Sequence, residues 1–556
     1  MKRFNLVDFE GLVHSSDRKE LGVFFLACVV ELLHKKNELT NRLDTDFSSD
    51  ISYCEKSYNL NKGICSDINS FTKFPNSLMN RYKEIKKNCQ WDSCEQIEET
   101  VNRLVGLFSG KASFSHFSEY RFSKALSEWI CDGRTNLKAY FPYSSLIDAV
   151  RYIGENSKVN DVINVAPLKS TIDNILMALF DISINTKLDD FDKLTDAKKD
   201  YYDVGFSVPP FGIKLENNDN LENALIENMD ASIKGRFACI VPSGFAFNSL
   251  GKQKILREKL VKSKRLAAIV ELPNGYIAGT ALSTIALLFD YKEANNNEVL
   301  MIDLSDSKYK DEQLSFRSNF VLNDSAIKVF SDAIKGNLSS KCEKVSIDKI
   351  ATNDYLLLPS RYALSEDMKE SIKKFNEYKS SKTLSSIAYM YRAQATKNEG
   401  DGKEYYEVGA SDINEYGFIN APEKTLLLTP QSSSLKNKLQ KNDIIFSIKG
   451  TVGKVAFIDK DVDNWIVNQS FVIIRVTDET YTPEYVFKQL TSKVTRDYIA
   501  LHAAGNVIKS FPIDKLKDFR VQDPTKESLC AAKEKTQRQI EILKAIEDLK
   551  KELSEI

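Results

Sequence analysis

The run Tyr202-Asp203-Val204-Gly205-Phe206-Ser207-Val208 ends in Pro209-Pro210-Phe211-Gly212, and this junction constrains the fold more than any other segment. The apolar stretch reads as a strand. Two consecutive prolines cannot continue it, because each lacks a backbone donor and holds φ near −65°. The strand must stop in a stiff turn that presents Phe211 beyond its carboxyl end. Further apolar runs follow at 235–244, 266–275 and 284–289, and Ile255 to Val261 has helical spacing among lysines and arginines. Short buried strands alternating with helical segments predict an α/β domain.

Enzymes that methylate the exocyclic amine of adenine carry Asn, Asp or Ser directly before Pro-Pro-aromatic. That polar group and a nearby carbonyl accept the amine hydrogens, and the aromatic ring stacks on a base flipped out of the duplex. Here the polar position is Val208, which accepts no hydrogen bond. Pro209, Pro210 and Phe211 keep the shape of the motif while Val208 removes its chemistry. Ser207 lies one residue early, and neighbouring strand side chains point to opposite faces. Taken alone, Pro-Pro-Phe is a turn after a strand. In series with the three downstream runs, Met301-Ile302-Asp303, Asn353-Asp354-Tyr355 and Ser360-Arg361-Tyr362, it resembles the methylation subunit of type I restriction-modification systems.

That resemblance implies a doubly wound domain holding S-adenosylmethionine over a glycine-rich loop after its first strand, because a cofactor pressed against backbone needs residues without side chains. Tyr140-Phe141-Pro142-Tyr143 resembles the start of the catalytic domain, which puts the first strand and its loop at Asp161 to Ser170, with Asn164 where the family has an acidic residue. No glycine follows there before Gly205. From Ile163 to Phe206 is only about 43 residues, whereas each βαβ unit takes about 30 or more. At least one crossover is expected to be missing. Residues 171–180 read as one helix, followed by a polar connection. The expectation is a shortened Rossmann-like methyltransferase fold that is catalytically silent and holds no cofactor, with S-adenosylmethionine bound only if the domain is active.

A second signature begins near Leu384. Short β-like runs separated by glycine turns include Tyr406 to Ile413, Leu439 to Ser447, Gly450 to Ala456 and Asn468 to Arg475. They predict a β-rich module, and their order resembles one target-recognition domain of a type I specificity subunit. The resemblance implies sequence-specific binding of double-stranded DNA through base edges. Gly450-Thr451-Val452-Gly453-Lys454 is not a phosphate loop, which needs four residues between its glycines and Ser or Thr after the lysine. Net charge over the chain is −1, and residues 381–525 carry about +1, so phosphate contacts must come from a local cluster. The candidates are Arg392, Lys397, Lys403, Lys449, Lys454 and Lys509, with Asn468, Gln469 and Asn506 as base-edge readers or turn caps.

The tail from Lys526 has helical composition, and Ile542, Ile546, Leu549, Leu553 and Ile556 repeat at coiled-coil spacing. It is either a helix laid on its own domain or a seam for a homodimer, which would place two recognition domains on a two-part site. The complete expectation is a multidomain α/β chain. It comprises a helical domain over 1–135, a degenerate methyltransferase-like domain over 136–375, a target-recognition domain over 376–525 and a coiled-coil-like helix over 526–556. Residues 373–382, rich in Lys and Ser, read as a linker.

Leu21 to Leu33 is too short to cross a bilayer, and Asp8 and Glu10 interrupt any leader-like start. Nine cysteines lack a CxxC pair and the four histidines are scattered, which argues against zinc and against Ser-His-Asp hydrolysis. The expected setting is the bacterial cytoplasm, with restriction or methylation subunits as partners and no membrane. Three functions stay open: a silent, DNA-reading subunit of a restriction or phage-defence system, a working adenine methyltransferase, and a protein-interaction scaffold.

Overall fold

The computed structural model describes residues 118–163, 185–187, 201–311 and 321–555, apart from short gaps at 145, 249–250, 278–279, 292–296, 379, 420 and 503–509. The expected helical domain before residue 118, Asn164 and the segment 171–180 lie outside the described residues. The chain divides into two compact units, Met1–Ala363 and Leu364–Ile556.

The first unit is built on a nine-stranded sheet of order β3-β2-β1-β4-β5-β7-β6-β8-β9. Its strands are β1 Leu137–Tyr140, β2 Ser157–Ile163, β3 Asn185–Lys187, β4 Tyr202–Ser207, β5 Ile233–Pro242, β6 Leu266–Glu271, β7 Thr284–Asp290, β8 Glu298–Asp303 and β9 Cys342–Ser346. Strands β1 to β5 are mutually parallel, and β7 runs antiparallel between β5 and β6. The strand order reverses between β1 and β4, the switch point at which doubly wound sheets bind ligands. Helix α1, Tyr120–Cys131, precedes the sheet, while α2 Leu221–Ser232 and α3 Lys252–Lys262 lie between its strands in sequence. The central strands β5 and β7 are buried almost throughout, which is why they read as continuous apolar runs rather than alternating ones. Phe237 and Phe289 stack across them with centroids 4.3 Å apart.

The sheet corrects one sequence expectation. No strand of the 3-2-1-4-5 order is absent: the first strand is Leu137–Tyr140, and Asp161–Ile163 is the end of the second. Leu-Lys-Ala-Tyr is too short, and too mixed, to announce itself by periodicity. The shortening lies in the elements instead. β1 has 4 residues and β3 has 3, and between β1 and β2 the chain forms only a kinked turn at Leu146–Val150 and the 4-residue helix Arg151–Gly154.

In the second unit, a four-stranded antiparallel sheet has the order β11-β17-β14-β15, formed by Ala388–Arg392, Phe471–Val476, Ile444–Ser447 and Val455–Phe457. A three-stranded sheet joins β13 Thr425–Leu428, β12 Lys403–Val408 and β16 Trp465–Val467. Both faces of the larger sheet are covered. Phe446, Val472 and Ile474 share one core with Val486, Phe487 and Leu490 of the helix Pro483–Thr491, while Ile445, Phe471 and Ile473 share another with Val408 and Val467. Period-2 alternation thus serves two cores at once. Residues 373–382, read as a linker, form the end of helix Glu366–Asn376 and part of strand β10, Ser381–Thr383, which pairs with β18, Arg520–Gln522. Phe375 of that helix packs on Tyr498 and Phe519 within this unit.

The terminal helix, α4, spans Lys526–Glu555. Leu529, Ala532, Ile540 and Leu543 pack on the domain core. Ile542, Ile546, Leu549 and Leu553 are 45, 40, 64 and 73% exposed. The helix therefore lies on its domain along one stripe, as one of the two alternatives held, and presents a second apolar stripe to solvent. Ile556 lies outside the described residues.

Candidate functional site

At the switch point the carboxyl ends of β1 and β4 meet, and their side chains interlock. Ser207 Oγ donates to the Pro142 carbonyl at 2.6 Å. Ser144 Oγ donates to the Phe206 carbonyl at 3.0 Å and accepts from the Val208 amide at 3.3 Å. Phe141, Tyr143, Ser144, Ser207 and Val208 are all buried, as are Pro142, Pro209 and Pro210, while Phe211 is half-buried. Gly205 permits this approach: a Cβ there would lie 2.4 Å from Ile233 Cδ1 and 2.8 Å from the Tyr140 carbonyl. Beyond the prolines, the Gly212 amide donates to Glu222 Oε1 at 2.8 Å, anchoring the turn to α2. Burial raises the pKa of the Glu222 carboxyl.

The polar groups of this crevice are committed to one another. Ser207, the nearest substitute for the missing acceptor, donates its hydroxyl hydrogen to Pro142 and stands on the opposite strand face from Val208. The turn after β1 contains no glycine. Tyr143 adopts φ 57°, a left-handed conformation that glycine takes without steric cost and a bulky residue rarely takes. Its ring is 2% exposed and belongs to the buried apolar cluster of this unit.

In the second unit the register gathers candidates that are far apart in sequence. Arg392 ends β11, Asn468 and Gln469 precede β17, Lys449 follows β14 and Lys454 precedes β15. Antiparallel neighbours bring these four ends to one edge of the sheet: Arg392 pairs with Val472, Ser447 with Phe471 and Phe446 with Val455. Arg392, Lys449 and Gln469 are exposed there. The Lys454 ammonium instead donates to the Ala410 and Ile413 carbonyls at 2.7 and 3.2 Å, tying down a loop. Asn468 Oδ1 accepts from the Ser470 amide, as a turn cap does. Lys403 starts β12 on the other sheet and Lys397 is exposed in the loop before it. Asn506 and Lys509 lie outside the described residues, though Ser510 bridges to Lys449.

One charged pair was missed. Arg475 Nε and Nη2 each donate at 2.8 Å to the carboxylate of Asp443, whose side chain is fully buried. An arginine inside the apolar run Phe471–Val476 was the available signal, since a charge on a buried strand needs a partner.

Residues 149–371 match the N-6 DNA Methylase family, and residues 382–556 match the Type I restriction modification DNA specificity domain. The chain joins an N-6 DNA methylase domain to a type I specificity domain. Over 96 residues it is 28% identical to the "Type I restriction enzyme HindI specificity subunit" of Haemophilus influenzae, covering 17% of this chain and 21% of that relative. The chain thus spans about a fifth of the length of this curated relative. A type I methyltransferase subunit from Streptococcus thermophilus is 17% identical, with 61% of this chain and 80% of that chain covered at a TM-score of 0.46. The EcoKI M protein is 13% identical, with 60% and 89% covered at a TM-score of 0.37.

A methylase of this family would use S-adenosylmethionine. The turn after β1 holds no glycine and a buried Tyr143, with the Ser144 and Ser207 hydroxyls donating to backbone carbonyls. Among the described residues no group of three His, Cys, Asp or Glu could hold a metal ion. No described helix is long and apolar enough to cross a membrane.

Proposed function

We propose that this chain is a sequence-specific, duplex-DNA-binding component of a bacterial restriction-modification or phage-defence system, and that its methylase domain is a scaffold without methyl-transfer activity. The single observation that carries the second part is Val208, buried in the acceptor position of the Pro-Pro-Phe turn. An adenine amine placed there would meet a methyl surface. The hydrogen that a polar side chain would accept would lose water without gaining an acceptor, at a cost of about 1–3 kcal/mol.

The first part rests on the specificity-domain match and on the edge formed by Arg392, Lys449, Asn468 and Gln469, with Lys397, Asn506 and Lys509 as further contacts nominated by the sequence. Restriction or methylation subunits in the cytoplasm are the partners we propose. The exposed stripe of α4 suits a second copy of this chain, because four apolar side chains at spacings of four and three form one seam.

The test is a mobility or anisotropy titration of the whole chain with duplex DNA across a salt series. Binding that weakens steeply with salt is expected; no shift at low salt would leave only the protein-interaction scaffold. The second reading, an active methyltransferase, is favoured by the complete 3-2-1-4-5 strand order. Transfer of labelled methyl groups to duplex DNA would establish it.

A further inference from the structure

A groove of about 520 Å³ lies along one face of the four-stranded sheet, lined by residues that include Tyr389, Tyr391, Lys436, Lys438, Lys441 and Arg475. Tyr389 and Arg475 are direct cross-strand partners on β11 and β17, and Tyr391 is two residues further along, on the same face. The Asp443 carboxylate fixes the guanidinium from behind, and also accepts the Gln440 amide at 2.9 Å. Nε and one hydrogen of Nη2 are therefore used. The Nη1–Nη2 edge is the remaining donor fork, held in one orientation by a carboxylate that is itself fully buried. Lys436 and Lys438 are exposed and have no carboxylate within 4 Å among the described residues. Asp461 and Asp463 also line the groove, with Asp461 3.9 Å from Lys441. The lining therefore carries four cations, Lys436, Lys438, Lys441 and Arg475, against the two carboxylates of Asp461 and Asp463.

We propose that this groove is a second nucleic-acid contact of the specificity domain, taking a phosphodiester of duplex DNA on the Arg475 fork with Lys436 and Lys438 on the flanking phosphates. A phosphate offers the paired acceptor oxygens that an end-on guanidinium edge matches. Tyr389, 56% exposed, supplies a flat apolar wall against a sugar. Tyr389 lies three residues along β11 from Arg392, about 10 Å, so a single duplex can pass from that edge to the groove. The proposal rests on the specificity-domain reading and adds to it a site that acts on affinity rather than on sequence choice.

The experiment is fluorescence anisotropy of the full chain with a labelled random-sequence duplex of about 30 bp over a salt series. In Lys436→Gln/Lys438→Gln the slope of log affinity against log salt should fall by about 1–2, with affinity reduced roughly equally for every sequence tested. Arg475→Lys keeps the charge beside Asp443 but loses the fork, and should weaken binding about tenfold while the unchanged melting temperature shows an intact domain. If the unmodified chain binds with a steep salt dependence and the lysine variant keeps both slope and affinity, the groove is not a phosphate site. If the unmodified chain binds no duplex, this proposal and the reading beneath it both fall. A loss in Lys449→Gln alone would assign the contacts to the strand-end edge and also overturn the groove.

Discussion

Val208 decides more of the proposed chemistry than any other residue. Its buried side chain stands where an acceptor would be needed, but restoring a polar atom is not enough, because Tyr143 still occupies the turn after β1. Val208→Asn is expected to yield no methyl transfer to duplex DNA in a labelled-methyl assay; measurable turnover would mean that the rest of the site is intact. Gly205 is the complementary case. Gly205→Ala should destabilise the methylase domain by about 1–3 kcal/mol in denaturant unfolding, since the new methyl meets a carbonyl that cannot move without displacing β1.

A third residue sets a pH dependence. Burial, and then the neighbouring Asp303, push the Glu271 carboxyl up to about 7 from 4.5. The native state therefore holds a proton that the unfolded chain has released between those values, and this group's contribution to stability falls as pH rises from about 4.5 to 7. Glu271→Gln keeps an oxygen for the Ser360 amide, bonded at 2.9 Å, and should flatten the decline in melting temperature across that window. An unchanged slope would remove Glu271 as its source.

Elements differ in how much of them can be read in advance. Strands β5, β6 and β7 were legible because burial on both faces makes their sequences continuously apolar. The Pro-Pro turn was legible because proline acts through its own covalent geometry. β1 was not, since Leu137–Tyr140 depends on its parallel neighbours β2 and β4 rather than on any periodicity of its own. The same holds for the candidate DNA edge. Residue types nominated Arg392, Lys449 and Gln469, but antiparallel register brings them together, and no local spacing reveals that Lys454 is spent on two carbonyls.

Helix α4 carries a prediction at this scale. Its inner stripe shares the domain core and its outer stripe does not. Replacing Ile546, Leu549 and Leu553 together by Glu should leave the melting temperature within a few degrees, since surface substitutions rarely exceed about 0.5 kcal/mol each. The same variant should shift light-scattering mass from dimer to monomer. A wild-type chain that is monomeric at every concentration would remove the dimer.

For the whole molecule, the account is a division of labour. DNA reading is the role proposed for the specificity domain, while the methylase domain keeps a complete strand order with the ends of β1 and β4 closed on each other. The direct test is calorimetric titration of the intact chain with S-adenosylmethionine, which needs no knowledge of the DNA site. The account predicts no heat of binding up to millimolar cofactor. Saturable binding in the micromolar range would contradict it and would require a cradle other than the turn after β1.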